Sequence, residues 1–155
     1  MKASTLIVAL FLATSTTGFS QYSPEKKEVL DVIQNFFNAL QKRDTAAFIA
    51  STLAEVQTPI VMERNDSVFV RVRSRAAFIK SLAEGTTVID EKMRNKGVVV
   101  EVHDRIAMVW APYDLWIDKK FSHCGVDVFT LIKTKDGWKI SALAYTIERE
   151  GCGTK

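Results

Sequence analysis

The feature that most constrains this chain runs from Phe121 to Cys152, FSHCGVDVFTLIKTKDGWKISALAYTIEREGC, where two alternating apolar runs flank Lys135-Asp136-Gly137-Trp138. Asp-Gly between such runs is a strong hairpin signal, because both residues of a two-residue type I′ turn need positive φ. With Asp136 and Gly137 as the loop, Lys135 faces Trp138, Asp127 faces Thr146 and Cys124 faces Arg149. One face of the hairpin then carries His123, Gly125, Asp127, Phe129 and Leu131. The other carries Val126, Val128, Ile132, Tyr145 and Ile147, and adds Cys124. Both faces are too apolar to be left in water, so one covers the helices and the other meets a further surface.

The arms also hold both cysteines. A continued ladder would keep Cys124 and Cys152 apart by three strand steps, on the order of 10 Å, beyond the roughly 4.4–6.8 Å between the Cα atoms of a disulfide. A Cys124–Cys152 bridge therefore requires the ladder to stop near Arg149 and the tail to fold back, which Gly151 and Gly153 allow. Two free thiols are the alternative.

The start of the chain sets the compartment. Lys2 gives a positive start, Leu6 to Ala13 is an apolar run, and Gly18-Phe19-Ser20 supplies small residues at a cleavage position. Residues 1–20 read as a secretory signal peptide cut before Gln21, leaving one domain over 21–155 exported to the periplasm or cell exterior without a membrane anchor. An exported chain permits a disulfide. The 155 residues carry 21 Lys and Arg against 18 acids, scattered, with a net charge of +3. No electrostatic footprint for nucleic acid results.

Ser23-Pro24-Glu25 starts a helix, and Val29, Leu30, Val32, Ile33, Phe36, Phe37 and Leu40 recur at helical spacing behind it. Asp44 caps a second, shorter helix to about Leu53. Ile60 to Glu63, a turn at Asn65-Asp66, and Val68, Val70 and Val72 make a first hairpin. Ser74 caps a third helix ending near Gly85. Four strands in an antiparallel meander follow, from Val98 onward, with Pro112 marking a bulge in the long strand from Ile106 to Ile117. Three helices in the N-terminal half, packed on a strongly curved antiparallel sheet, define an α+β domain.

That order, with Trp110-Ala111-Pro112-Tyr113-Asp114 and the His123-Cys124-Gly125-Val126-Asp127 and Gly137-Trp138-Lys139-Ile140 segments, resembles the nuclear transport factor 2-like superfamily across essentially the whole mature chain. The branch it is most similar to is the lumazine-binding or SnoaL-like proteins of bacteria. The resemblance implies a cone-shaped, cystatin-like fold whose sheet wraps a helix and leaves a pocket, commonly in a homodimer formed through the sheet. It implies no single activity, because this fold hosts isomerases, dehydratases, cyclases and non-catalytic binders.

Asp127 is the sharpest candidate for chemistry, since a carboxylate on an apolar strand loses hydration and holds its proton more tightly unless partnered. It then exchanges a proton near neutral pH. Ketosteroid isomerase, on a related fold, works with such a carboxylate beside a neutral acid and a tyrosine. A bond from Thr146 or a pairing with arginine over a subunit seam would make Asp127 purely structural. His123 could act as base, orient Asp127 or bind ligand, or simply hydrogen-bond a neighbour. Tyr113 could donate into the pocket. Trp110, Asp114, Trp116 and Tyr145 complete the expected lining, with core packing as the alternative for the aromatics. Arg71, Arg73 and Arg75 read as a solvated strand edge, and Asn65-Asp66-Ser67 matches a glycosylation acceptor.

Nucleophile elbows, phosphate-binding glycine loops and zinc-like spacings are missing from the sequence, so no metal or cofactor is expected. Three functions remain: a binder of a small apolar or aromatic molecule, an isomerase, dehydratase or cyclase using Asp127 or His123 as proton carrier, and a protein-interaction module.

Overall fold

The computed structural model describes residues 22–153; the expected signal peptide, residues 1–20, lies outside the described residues. Helix α1 (Pro24–Lys42) begins as its sequence dictates, with the Ser23 hydroxyl accepting from the Lys26 N–H and Glu25 at the positive end of the dipole. Its buried stripe, Val29, Ile33, Phe36, Phe37 and Leu40, gains roughly 1.5–3 kcal/mol for each large side chain removed from water. Helices α2 (Thr45–Ser51) and α3 (Arg75–Glu84) are capped by Asp44 and Ser74, each accepting from the N–H three residues on. Arg43 ends α1 in the left-handed region at φ 58. From there its guanidinium donates to the carbonyls of Ser81 and Leu82, binding the end of α3 to the end of α1.

The strands are β1 (Gln57–Arg64), β2 (Ser67–Ser74), β3 (Ile89–Met93), β4 (Val99–His103), β5 (Ile106–Ile117), β6 (Lys120–Thr134) and β7 (Gly137–Ile147). Their order across the sheet is β2-β1-β7-β6-β5-β3, with β4 also on β5. The expected helices, first hairpin and long strands are present. Two corrections apply to the sheet. It is mixed, because β1 runs parallel to β7 through Ile60↔Tyr145, Val61↔Thr146 and Met62↔Ile147. A fifth strand also follows α3, since the polar segment Ile89-Asp90-Glu91-Lys92-Met93 pairs with Tyr113–Ile117.

The β6–β7 register also differs from expectation. Thr134 faces Gly137, so Lys135-Asp136 is the loop, and of these residues only Gly137 has positive φ, at 93. This is a type I turn followed by a left-handed glycine, a G1 bulge, in place of type I′. The pairs with both central residues at positive φ are Asn65-Asp66 and Asp118-Lys119. The turn shifts the pairing by two residues, an irregularity between Thr130 and Leu131 takes one back, and Asp127 faces Tyr145 in place of Thr146. A one-residue slip moves a side chain to the other face of a sheet. Tyr145 thereby joins Asp127 over the helices.

Pro112 causes no bulge. It pairs with Val126 in regular register, and the irregularity in β5 lies between Leu115 and Trp116. Its carbonyl accepts from the Arg94 N–H at 2.8 Å, on the side where β3 has ended and β4 has not begun. The missing proline N–H points into that same gap, so no ladder bond is lost.

The cysteines are bridged, Cys124 to Cys152, with Cα atoms 5.7 Å apart. Pairing ends at the isolated bridge Cys124↔Glu148, and Gly151 turns the tail back at φ 69. Arg94 fixes the same tail from the other side, donating to the Cys152 carbonyl and to Asp114.

Candidate functional site

Alternation along β5 and β6 decides which residues can meet. Odd-numbered positions, from Ala107 to Leu115 and from His123 to Leu131, turn toward the helices. Within this concave side lies a cavity of about 150 Å³. Phe36 and Leu40 of α1 and Phe78 and Leu82 of α3 form its helical wall; Glu91 of β3, His123 and Asp127 of β6, and Tyr145 of β7 form its polar wall, with Arg73 of β2 at its flank. A volume near 150 Å³ holds one six-membered ring.

Asp127 is 2% exposed, and its Oδ2 has no hydrogen-bond partner. Burial, then the charge of Glu91 and a hydrogen bond shared with it, hold the Asp127 carboxyl well above the usual carboxylate range. Burial likewise pushes Glu91 up to about 8, against the hydrogen bond from Asp127. Two carboxyls lining one cavity, Asp127 buried and Glu91 half-buried, thus share protons and titrate as a pair. Tyr145 is pushed up to about 12 by burial and by the nearby Glu91 charge, so its phenol is neutral.

His123 is 8% exposed. Its Nδ1 meets the Ser122 hydroxyl at 3.0 Å, while Nε2 is buried without a partner. Burial, helped by the Arg149 charge, keeps its pKa below the ordinary value and the ring neutral at pH 7.

Tyr113 lies on the concave side but its hydroxyl is used structurally, donating to the Thr146 carbonyl at 2.6 Å. It reaches that carbonyl by crossing Gly125, its partner on β6. A Cβ on Gly125 would fall 2.2 Å from the Thr146 oxygen and 2.8 Å from the Tyr113 ring. Tyr113 meets His123 and Tyr145 edge-on, at ring separations of 5.9 and 6.4 Å.

The structure places Trp110, Asp114 and Trp116 on the opposite face, because their even numbers in β5 point outward. Trp110 is 46% exposed. Asp114 pairs with Arg94 at 2.6 Å, and Trp116 packs on Phe121 with Lys92 over its ring. Of the six expected lining residues, Asp127 and Tyr145 border the cavity, Tyr113 stands behind them, and Trp110, Asp114 and Trp116 do not reach it. Glu91 and Arg73 were not among the expected lining residues. Glu91 sits in the strand whose polar composition hides it, and the signal that could have revealed it is the weak alternation of Ile89, Glu91 and Met93. Arg73 was read as strand edge; its guanidinium instead lies 3.9 Å over the Phe78 ring.

A second, open groove lies between α1, α2 and the β6–β7 turn, bordered by Asn35, Asn38, Asp136 and Trp138. The Trp138 Nε1 is buried and unpartnered. Among the described residues no cluster of three His, Cys, Asp or Glu could hold a metal ion. No helix among them is long and apolar enough to cross a membrane.

This architecture, an α+β cone with a mixed, curved and unclosed sheet, is that of nuclear transport factor 2-like proteins. A nuclear transport factor 2-like protein from Cytophaga hutchinsonii superposes with a TM-score of 0.64 at 10% identity, covering 81% of this chain and 99% of its own. A superfamily member from Salmonella enterica gives 0.60 at 14%, covering 84% and 96%, and one of unknown function from Silicibacter pomeroyi 0.56 at 18%, covering 79% and 94%. No curated protein matches the chain significantly. Residues 24–146 match the family described as "Putative lumazine-binding", and the chain belongs to that family.

Proposed function

We propose that this is an exported protein that binds a small, largely apolar or aromatic molecule in the cavity between α1, α3 and the concave sheet. One observation carries the reading. Asp127 and His123, each with a buried side-chain atom that has no partner (Oδ2 and Nε2), line the same aromatic-walled cavity. Buried polar groups are normally hydrogen-bonded, so two orphans on residues lining one space argue for a ligand that supplies the missing bonds. The family name agrees with a small heterocyclic ligand, and a single ring is what the cavity accommodates without side-chain movement. The Cys124–Cys152 disulfide accords with export.

The outer face of the sheet supports a homodimer. Val99, Ile106, Met108, Trp110 and Ile132 are exposed side by side there, an apolar patch of the kind that subunits cover.

The test is native mass spectrometry on protein purified from its own host, with an NMR titration of benzyl alcohol alongside. A dimer carrying extra small-molecule mass is expected, together with amide shifts at Asp127 and Tyr145 that vanish when Leu143→Trp fills the cavity. Unchanged amides at saturating benzyl alcohol would remove the binding reading.

A second reading draws on the Glu91–Asp127 pair. Two coupled carboxyls, one pushed up to about 8, can give and take a proton at neutral pH, as an isomerase, dehydratase or cyclase requires. Asp127→Asn separates the two readings: it abolishes turnover in an enzyme, while affinity for a neutral ligand survives in either case.

A further inference from the structure

The cavity reading leaves the charge of the ligand open, and the polar wall narrows it. We propose that the ligand carries a protonated amine on a ring-sized apolar body, with its ammonium group seated against the Glu91 and Asp127 carboxyls.

The first argument is donor and acceptor balance. The carboxyls of Glu91 and Asp127 share a hydrogen bond, and Asp127 Oδ2 is buried without a partner. Once one of the pair's two protons has left, the other lies in that shared bond and what the pair offers a ligand is acceptor capacity, which suits an ammonium group, three donors and no acceptor. The second argument is charge. Among the described residues, neither Glu91 nor Asp127 takes part in a salt bridge. A buried carboxylate needs a cation beside it and otherwise keeps its proton, so this pair ionises when a cation joins it. The third is the wall itself: Phe36, Phe78 and Tyr145 border the same space, and aromatic rings favour a desolvated cation by up to about 2 kcal/mol.

The other groups around the pair leave that charge unanswered. Tyr113 and Tyr145 are held neutral, the former far above the ordinary phenol value by burial. His123 is neutral for the same reason, and Arg149 acts on His123. Glu148 acts on Tyr113, and Arg71 on Tyr145 and Arg73. Arg73 is the cation at the flank of the cavity; it is stacked on Phe78 and acts on Tyr145, not on either carboxyl.

The proton balance follows. Below about pH 8 the empty pair holds both protons. When an ammonium ion enters, one proton leaves to solvent, the pair keeps one shared proton and one negative charge, and the cavity stays neutral overall. No bond other than hydrogen bonds is made or broken.

Isothermal titration calorimetry with benzylamine and benzyl alcohol, in two buffers of different ionisation enthalpy, tests this. Benzylamine affinity is expected to rise about tenfold per pH unit between pH 6 and 7, with about one proton released per molecule bound. Benzyl alcohol binds with no such dependence. Asp127→Asn and Glu91→Gln are expected to lose the benzylamine affinity and the proton release while keeping benzyl alcohol, which also verifies that both variants fold. Benzyl alcohol binding at least as tightly as benzylamine at pH 8.5, or benzylamine binding without proton release, overturns the amine proposal and leaves the cavity reading intact. If neither compound binds at either pH, both fall together.

Discussion

The buried acid pair makes the protein's stability depend on pH in a direction opposite to that of an ordinary salt-bridged carboxylate. Glu91 is raised from 4.5 to about 8, and each pH unit of difference between folded and unfolded states is worth about 1.36 kcal/mol. Above pH 4.5 the unfolded chain releases this proton while the fold keeps it to about pH 8. The native state then binds more protons, and stability falls through that window. The loss reaches roughly 4–5 kcal/mol at pH 8, a large share of the 5–15 kcal/mol that holds a typical domain together. His123 works the other way: its lowered pKa adds stability as pH rises through the unfolded histidine value near 6.5. The clean measurement is therefore a difference. Urea denaturation of the wild type and of Glu91→Gln at pH 5, 6.5 and 8 should show the variant gaining on the wild type by about 3–5 kcal/mol across the range, with equal m-values. A gap that stays constant within 1 kcal/mol would mean that Glu91 ionises freely in the fold, and the argument for a dry acid pair would collapse.

Other perturbations reach separate parts of the structure. Gly125→Ala drives a Cβ to 2.2 Å from the Thr146 carbonyl oxygen, and overpacking of this kind costs about 1–3 kcal/mol or more; thermal melting should fall by several degrees, with Val126→Ala as the control. Removing the disulfide that spans 28 residues as Cys124→Ser/Cys152→Ser should cost about 3–4 kcal/mol of unfolding free energy. Intact mass before and after reduction and alkylation of the wild type should show two thiols appearing only on reduction. Tyr113→Phe deletes the donor to Thr146 and should cost about 1–2 kcal/mol in urea melts without altering benzyl alcohol affinity; lost affinity would instead place the hydroxyl in the site.

How much of this was legible in the sequence depends on how local the physics is. Ser23-Pro24, Asp44 and Ser74 announce their helices because capping is settled within a few residues. Strand length made a fold-back of Cys152 the condition for a bridge, with two free thiols as the alternative, and the structure contains both fold-back and bridge. The register of the last hairpin did not follow, because Lys135-Asp136-Gly137 suits both a type I′ loop and a type I turn with a G1 bulge, and the twist of the flanking strands chooses. The turn alone shifts the pairing by two residues and keeps each face; the irregularity between Thr130 and Leu131 takes one back and puts Tyr145 on the face of Asp127. Glu91 was illegible for a different reason: its strand is held by pairing with Tyr113–Ile117, a long-range interaction that overrides the polar appearance of five residues. The outward placement of Trp110, Asp114 and Trp116 was readable from alternation alone, since Asp127 faces Ala111 across the ladder, and the assumed bulge at Pro112 obscured it.

The parallel junction of β1 with β7 has a consequence in time. Its rungs, Ile60 with Tyr145 and Met62 with Ile147, join segments on opposite sides of nearly everything else in the chain. Contacts between such distant segments form late, because the intervening loop must be closed before they return any stabilisation. Tyr145, and with it one wall of the cavity, arrives on β7, the last strand among the described residues. A chain still emerging from a ribosome therefore has helices and hairpins but no closed cavity until β7 has docked.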